Sequence, residues 1–367
     1  KPTNGPSETA RERAFGGDLK ALDQPQPMAR LINWALTDLM LEHGEIVLAG
    51  EDVGAKGGVY GVTQKLMERF GRHRVIDTLL DEQSILGLAI GMAHNGILPV
   101  PEVQFLAYLH NAEDQLRGEA ATLPFFSEGQ YANPMVVRIA GLGYQKGFGG
   151  HFHNDNSIAV LRDIPALIIA CPSNGADAAM MLRECFRLAR EEQRIVVFLE
   201  PIALYHTRDL NKKDDGKWMH FYPSPDRRIG LDEVGVHGKG KDLAIITYGN
   251  GHYLSQQALA DIEAVGIATR VIDLRWLTPL PMDSLIDAIG SCKNVLIVDE
   301  CRKSGSPSEE IIAQFIDRSL SFNLARLTGV DSFIPLGPAA DTVLVGEEDI
   351  VNAALALAGK TKKRAAE

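Results

Sequence analysis

The stretch that most constrains the fold runs from Val75 to Gly87. The β-branched run Val75-Ile76 ends in acids, and the chain passes at once into apolar residues at helical spacing: Ile85, Leu86, Ala89 and Ile90. A strand that hands over directly to a helix is half of a βα unit, and this unit recurs along the chain. Alternating strands and helices imply parallel sheets covered on both faces, an α/β fold of two doubly wound domains. Loops leaving the carboxyl ends of such strands line the edge where ligands bind. Glu82 stands in one of these loops, framed in sequence by Leu79, Leu80, Ile85 and Leu86. A carboxyl group among apolar residues is pushed towards its neutral form. The plainer alternative is that Asp81 caps the helix and Glu82 answers the positive end of its dipole.

In chain order, residues 1–27 are polar and rich in Gly and Pro, and read as an arm or linker. A first domain is expected over 28–205. It has a helix from Met28 to His43 and strands at 46–50, 75–77, 97–103, 135–140, 168–171 and 195–199. Further helices run through Phe70, from Glu82 to His94, to about Leu123 and over 176–190. The Lys-, Asp- and Pro-rich stretch 206–238 reads as a connection. A second α/β domain is expected over 239–360, with a basic tail at 361–367. A chain of 367 residues with 45% hydrophobic content is too long for one ordinary domain.

A formal net charge of −11, without a basic stripe apart from the tail, argues against a nucleic-acid partner. No apolar run reaches the length that spans a bilayer, so no membrane partner is expected. Cys171, Cys185, Cys292 and Cys301 form no Cys-x-x-Cys pair, which fits a reducing compartment such as the cytoplasm. The absence of Met at position 1 suggests that something once preceded Lys1. There is no Gly-x-Gly-x-x-Gly after the first strand, no P-loop and no Gly-x-Ser-x-Gly elbow.

Successive strand-ending loops carry Glu51, then Glu82, then Gln104 with Phe105 and Tyr108, then the glycine loop Gly141 to Gly150 leading to His151 and His153. Adjacent parallel strands would gather these at one edge, giving an acid, an amide, stacking rings and imidazoles around one cleft. Each also has a structural alternative: the rings as core, Gln104 as a backbone partner, the glycines as a turn, and His151 with His153 as a metal pair lacking a third ligand.

Several separate segments resemble one family. Ala49-Gly50-Glu51-Asp52-Val53, Ile76 to Gln83, Pro101 to Tyr108 and the glycine loop into His151-Phe152-His153 are similar to the β subunit, or β-like half, of the E1 component of 2-oxo acid dehydrogenase complexes. Leu274 to Leu280 resembles that family's transketolase C-terminal domain, and the likeness covers about residues 28–358. The resemblance implies a pyrimidine-binding domain for thiamine diphosphate, with Glu82 hydrogen-bonding N1′ of the aminopyrimidine. It implies that Leu80, Gln104 and Tyr108 line that pocket. His153 would assist 2-oxo acid addition or acyl transfer to a lipoyl group. Glu51 would belong to a proton-conducting network.

The family's Gly-Asp-Gly segment followed by Asn, which holds magnesium and the diphosphate, is absent. The resemblance therefore implies an α-type subunit or upstream half supplying the Mg2+ ligands in an α2β2 assembly. The E2 acyltransferase, through its lipoyl and subunit-binding domains, would be the next partner. Glu82-Gln83 and Glu102-Val103-Gln104-Phe105 lean towards branched-chain members over pyruvate members, while Asn154-Asp155 departs from the usual Ser-Gln. The competing expectations are another thiamine enzyme, such as a transketolase, and a non-catalytic scaffold of the same fold.

Overall fold

The computed structural model describes residues 7–143 and 149–360. Outside them lie the first six residues of the expected arm, the middle of the glycine loop (144–148) and the tail. The described chain divides into two compact units. The first comprises residues up to 141 together with 161–230, and the second comprises 142–160 together with 231 onwards.

In the first unit, six parallel strands lie in the order β5 (Ile168–Ala170), β6 (Ile195–Pro201), β4 (Met135–Gly141), β3 (Leu98–Val103), β1 (Ile46–Gly50) and β2 (Val75–Asp77). The central strands β1, β3, β4 and β6 are buried along their whole length, as near-continuous apolar runs require. β3 carries Pro99 and Pro101, residues that cannot donate to a ladder. The structure accommodates them by pairing β3 with β4 only at Glu102 and Val103, beyond both prolines, while β1 pairs along Leu98 to Glu102.

Helices Met28–Glu42 and Gly175–Glu192 pack together against this sheet. Residues 7–27, expected as an arm or linker, form a helix at Glu8–Phe15 and a 3-10 turn at Gly16–Ala21. Phe15 is buried against Leu31 and Trp34 of helix Met28–Glu42, and Leu19 and Leu22 pack on the same cluster, so a few apolar side chains anchor an otherwise polar segment. The stretch 206–230 also lies on this unit. Arg183 donates to the carbonyls of Pro223, Ser224 and Arg227, and the Tyr222 hydroxyl donates to Asp38. The helix expected to run to about Leu123 is broken into a 3-10 turn (Leu106–Asn111), a π-helical stretch (Gln115–Ala121) and a short helix (Leu123–Phe126). Pro124 lacks the N–H that a continuous helix needs there.

The second unit has a sheet in the order β12 (Asn323–Gly329), β11 (Asn294–Arg302), β8 (Leu243–Thr247), β9 (Thr269–Asp273) and β7 (Gly235–His237), with only the β7–β9 pair antiparallel. Its core joins Leu243, Ile245, Val271, Leu296 and Val298 of the strands to Ala258 and Ile262 of helix Gly249–Ala264 and to Ile350 and Ala354 of helix Glu347–Leu357. A short strand, β10, lies at Trp276–Thr278. Among the described residues, no helix is long and apolar enough to cross a membrane.

Candidate active site

Three loops at the carboxyl ends of β1, β2 and β3 meet in the first unit. The β1 loop is tied to the end of β2, because the Gly54 N–H donates to Asp77 Oδ1 at 2.6 Å and the Thr78 N–H to the Gly50 carbonyl at 2.9 Å. A Cβ at Gly54 would sit 2.0 Å from Met67 Cε and 2.5 Å from Asp77 Oδ2, so any larger residue would have to displace the carboxylate that ties the loop. From the β3 loop, Gln104 Nε2 reaches back to the Glu51 carbonyl at 3.4 Å.

Glu82 opens helix Glu82–His94 and is only 4% exposed. Its Oε2 accepts from Asn111 Nδ2 at 3.2 Å, while the other oxygen has no hydrogen-bond partner among the described residues. Asp81 holds the N-cap position with extended backbone, but its side chain makes no capping bond to the backbone. It accepts instead from Ser84 Oγ at 2.5 Å. The apolar frame expected around Glu82 is also only half present. Ile85 and Leu86 are buried, whereas Leu79 and Leu80 project from the surface, Leu80 being 70% exposed. A helix turns Ile85 and Leu86 inward by its own period, but nothing in the junction before it dictates an inward face.

The electrostatics bind these groups together. Burial raises the Glu51 carboxyl above its ordinary value, and the negative charges of Asp52 and Glu82 add to the effect. Burial likewise raises the Tyr108 phenol, again with contributions from Glu51 and Glu82. Tyr108 lies in the 3-10 turn Leu106–Asn111, edge-on to Phe105 with ring centroids 5.3 Å apart. Two acids, an amide, a phenol and a ring face therefore lie close together at one sheet edge, a set that can bind and exchange protons with a flat heteroaromatic group. Thr78 Oγ1, at the same junction, is buried without a partner among the described residues, the kind of atom that a bound group satisfies.

Sequence reasoning missed Asn111. It lies three residues after Tyr108, the spacing that brings side chains into line on a 3-10 turn, and that spacing was the available signal. It also missed the support beneath the site. Arg138 on β4 donates to Glu102 on β3 and, through Nε at 2.7 Å and Nη2 at 2.9 Å, to Glu200 on β6. The Tyr205 hydroxyl donates to Glu200 at 2.6 Å. All four are buried. Burial pushes Glu102 upward, with Arg138 pulling against it, and the two glutamates keep Arg138 charged.

His151 and His153 belong to the second unit. A Cβ on Gly149 would stand 2.1 Å from His153 Nδ1, so glycine at that left-handed position leaves room for the ring. His151 is exposed and stacks on Phe152, with centroids 4.1 Å apart. Asn154-Asp155 anchor the turn: Asn154 donates to the Gly150 carbonyl, and Asp155 accepts from Arg302 at 2.7 Å. Among the described residues, no three His, Cys, Asp or Glu side chains group as metal ligands.

Comparison with known proteins agrees with this architecture. Residues 24–207 match the family model "Transketolase, pyrimidine binding domain", and residues 232–349 match "Transketolase, C-terminal domain". The pyruvate dehydrogenase E1 component subunit beta of Bacillus subtilis is 31% identical over 332 residues, covering 87% of this chain and 96% of that protein. The chain belongs to the E1 β family of 2-oxo acid dehydrogenase components. The subunit of the same name from Staphylococcus epidermidis is 30% identical over 337 residues, covering 90% of this E1 β-type chain and 97% of its own. A solved "Split gene transketolase, inactive beta4 tetramer" has a TM-score of 0.71 and 18% identity, covering 93% of this chain and all of that one, and bears on the fold alone.

Proposed function

We propose that this chain is the β-type half of a thiamine-diphosphate-dependent E1 that decarboxylates a 2-oxo acid and passes the acyl group to the lipoyl arm of E2. The observation that carries the reading is the buried Glu82 carboxylate at the mouth of three converging loops, with one oxygen held by Asn111 and the other without a protein partner. This donor set fits an aminopyrimidine: a carboxylate for its ring nitrogen, an aromatic face at Tyr108 and an amide at Gln104. When bound, thiamine diphosphate supplies the electron sink that 2-oxo acid decarboxylation needs.

The work of the chain's own residues follows from the cleft. Glu82 Oε1 holds or yields a proton towards N1′, and Asn111 fixes the carboxylate's orientation. Tyr108 and Gln104 set the plane and edge of the ring, and the exposed Leu80 is assigned to the pocket rim on the family resemblance alone. Glu51, its carboxyl raised first by burial and then by its acidic neighbours, stands beside Glu82, where it can take part in proton exchange. His153 serves the acyl transfer. An α-type subunit or upstream half supplies the Mg2+ and diphosphate ligands in an α2β2 assembly, and E2 docks through its lipoyl and subunit-binding domains. Four buried cysteines, none joined in a disulfide, support a reducing, cytoplasmic setting.

Pyruvate and branched-chain 2-oxo acids both enter the test. The relatives above are named as pyruvate dehydrogenase subunits and give no support to a branched-chain preference, which rests on the Glu82-Gln83 and Glu102–Phe105 segments alone. The assay is 2-oxo-acid-dependent reduction of an artificial electron acceptor with thiamine diphosphate and magnesium. Activity is expected only when the chain is combined with its α-type half, with the substrates then ranked by kcat/KM. An assembled complex that is inactive with every 2-oxo acid would overturn the reading in favour of a scaffold subunit.

A further inference from the structure

The first unit holds a cavity of about 370 Å³ that the candidate active site does not use, between the start of helix Met28–Glu42, the turn at Gly61 to Lys65 and the segment His206 to Arg208. Arg30, Lys65, Arg69 and Arg208 line it against a single lining carboxylate, Asp18. Asp18 bridges two of the four cations, accepting from Arg30 at 2.8 Å and from Arg69 at 2.9 Å. Lys65 and Arg208 have no ion-pair partner among the described residues, so the wall carries an excess of three positive charges in a chain whose net charge is −11.

This charge is built in. The Arg69 side chain is only 8% exposed and is fixed by Asn33 Oδ1 at 3.2 Å and Thr37 Oγ1 at 2.8 Å. Lys65 is held in left-handed backbone, φ 65°, a conformation that persists in a non-glycine residue where the surroundings enforce it. Trp34 and Tyr60 add aromatic wall beside the cations, and the Arg30 guanidinium lies 5.4 Å from the Trp34 ring. Arg30 and Arg69 already share Asp18, so the positive charge that this one carboxylate leaves over on the wall would be answered by a bound anion. Tyr60 on the cavity wall is edge-on to Phe105, with centroids 6.1 Å apart, while none of Glu51, Glu82, Gln104 and Tyr108 lines the cavity.

We propose that this cavity binds a phosphate-bearing small molecule of nucleotide size. Planar guanidinium forks match phosphate oxygens, an excess of three charges suits a diphosphate, and the volume exceeds what a bare phosphate fills. The aromatic wall suits the ring of the same molecule.

The test is calorimetric titration of the full chain with ADP as probe, inorganic pyrophosphate and adenosine as partial probes, and chloride matching the ionic strength. ADP is expected to bind saturably, pyrophosphate more weakly and adenosine not at all. The double variant Lys65→Gln/Arg208→Gln, which changes two exposed side chains, is expected to weaken ADP at least tenfold. Glu82→Gln is expected to leave ADP binding unchanged, which separates this site from the catalytic cleft. The proposal is overturned by absence of ADP binding at millimolar concentration, by equal affinity in the double variant, or by an effect that chloride reproduces. Pyrophosphate binding without ADP binding would overturn the assigned size. None of these readouts depends on the E1 reaction.

Discussion

Glu82 shows how one residue can be placed both for stability and for chemistry. A negative charge in the first turn of a helix is favoured by the dipole, and the same position aims the carboxylate into the loops above the sheet. Replacing it with Gln keeps the shape and removes the proton-exchanging group. In the assembled enzyme, Glu82→Gln is expected to lower kcat by about 100-fold or more with unchanged circular dichroism, and a loss below threefold would remove Glu82 from the chemistry. Asn111→Ala removes a hydrogen bond to a charged group and is expected to cost roughly tenfold in kcat, with the 2-oxo acid KM little changed. Arg138 works differently, since it is the counter-charge for two buried acids. Arg138→Met strands those acids and is expected to destabilise the chain by about 3–5 kcal/mol in urea titration. A cost below 1 kcal/mol would mean that Glu102 and Glu200 do without the cation.

Among the elements, helix Glu82–His94 is the most revealing. Its inner face, Ile85, Leu86 and Ala89, is packed, while Gly87 and Gly91 lie one turn apart on the exposed face. A Cβ at either glycine would meet nothing within 4 Å. Glycine in a helix interior costs up to about 1 kcal/mol relative to alanine. Gly87→Ala and Gly91→Ala are therefore each expected to raise the thermal midpoint of the isolated chain. A fall in either case would mean that the glycines serve this chain's own packing. β3 makes the complementary point, because its two prolines are tolerated only where the ladder to β4 has not begun.

At the scale of the molecule, buried acids set the pH dependence of stability. Glu300 lies two residues before the end of β11 in the second unit, where its Oε1 accepts from the Asn250 N–H at the start of helix Gly249–Ala264 and its Oε2 is buried without a partner among the described residues. Burial pushes this carboxyl up to about 8 from an ordinary 4.5, against the pull of the Asn250 and Gly251 N–H groups and with Asp299 adding to the rise. The folded state thus binds more protons than the unfolded state between those values. Stability is present below about pH 4.5 and is lost as pH climbs towards 8, by up to about 1.4 kcal/mol per pH unit. Glu102, also raised by burial, contributes with the same sign. Urea unfolding at pH 5.5 and 8 is expected to show this loss in the wild type and a flatter profile in Glu300→Gln; equal profiles would exclude Glu300 as the source.

The order of residues alone was enough for the alternation of strands and helices, the parallel α/β class and the strand-to-helix junctions that carry Glu51, Glu82, Gln104 and Tyr108. Those features follow from local apolar periodicity and from the rule that such loops gather at one sheet edge. The bounds of β1 and of helix Glu82–His94 were legible for the same reason. Long-range packing settled what the local pattern left open: that Asn111 holds Glu82, that Leu79 and Leu80 face outward, and that Arg138 is neutralised from two neighbouring strands. It alone gathered Arg30, Lys65, Arg69 and Arg208 around Asp18. These depend on pairings between residues tens to well over a hundred positions apart, and periodicity within a segment carries no information about which distant segment will lie against it.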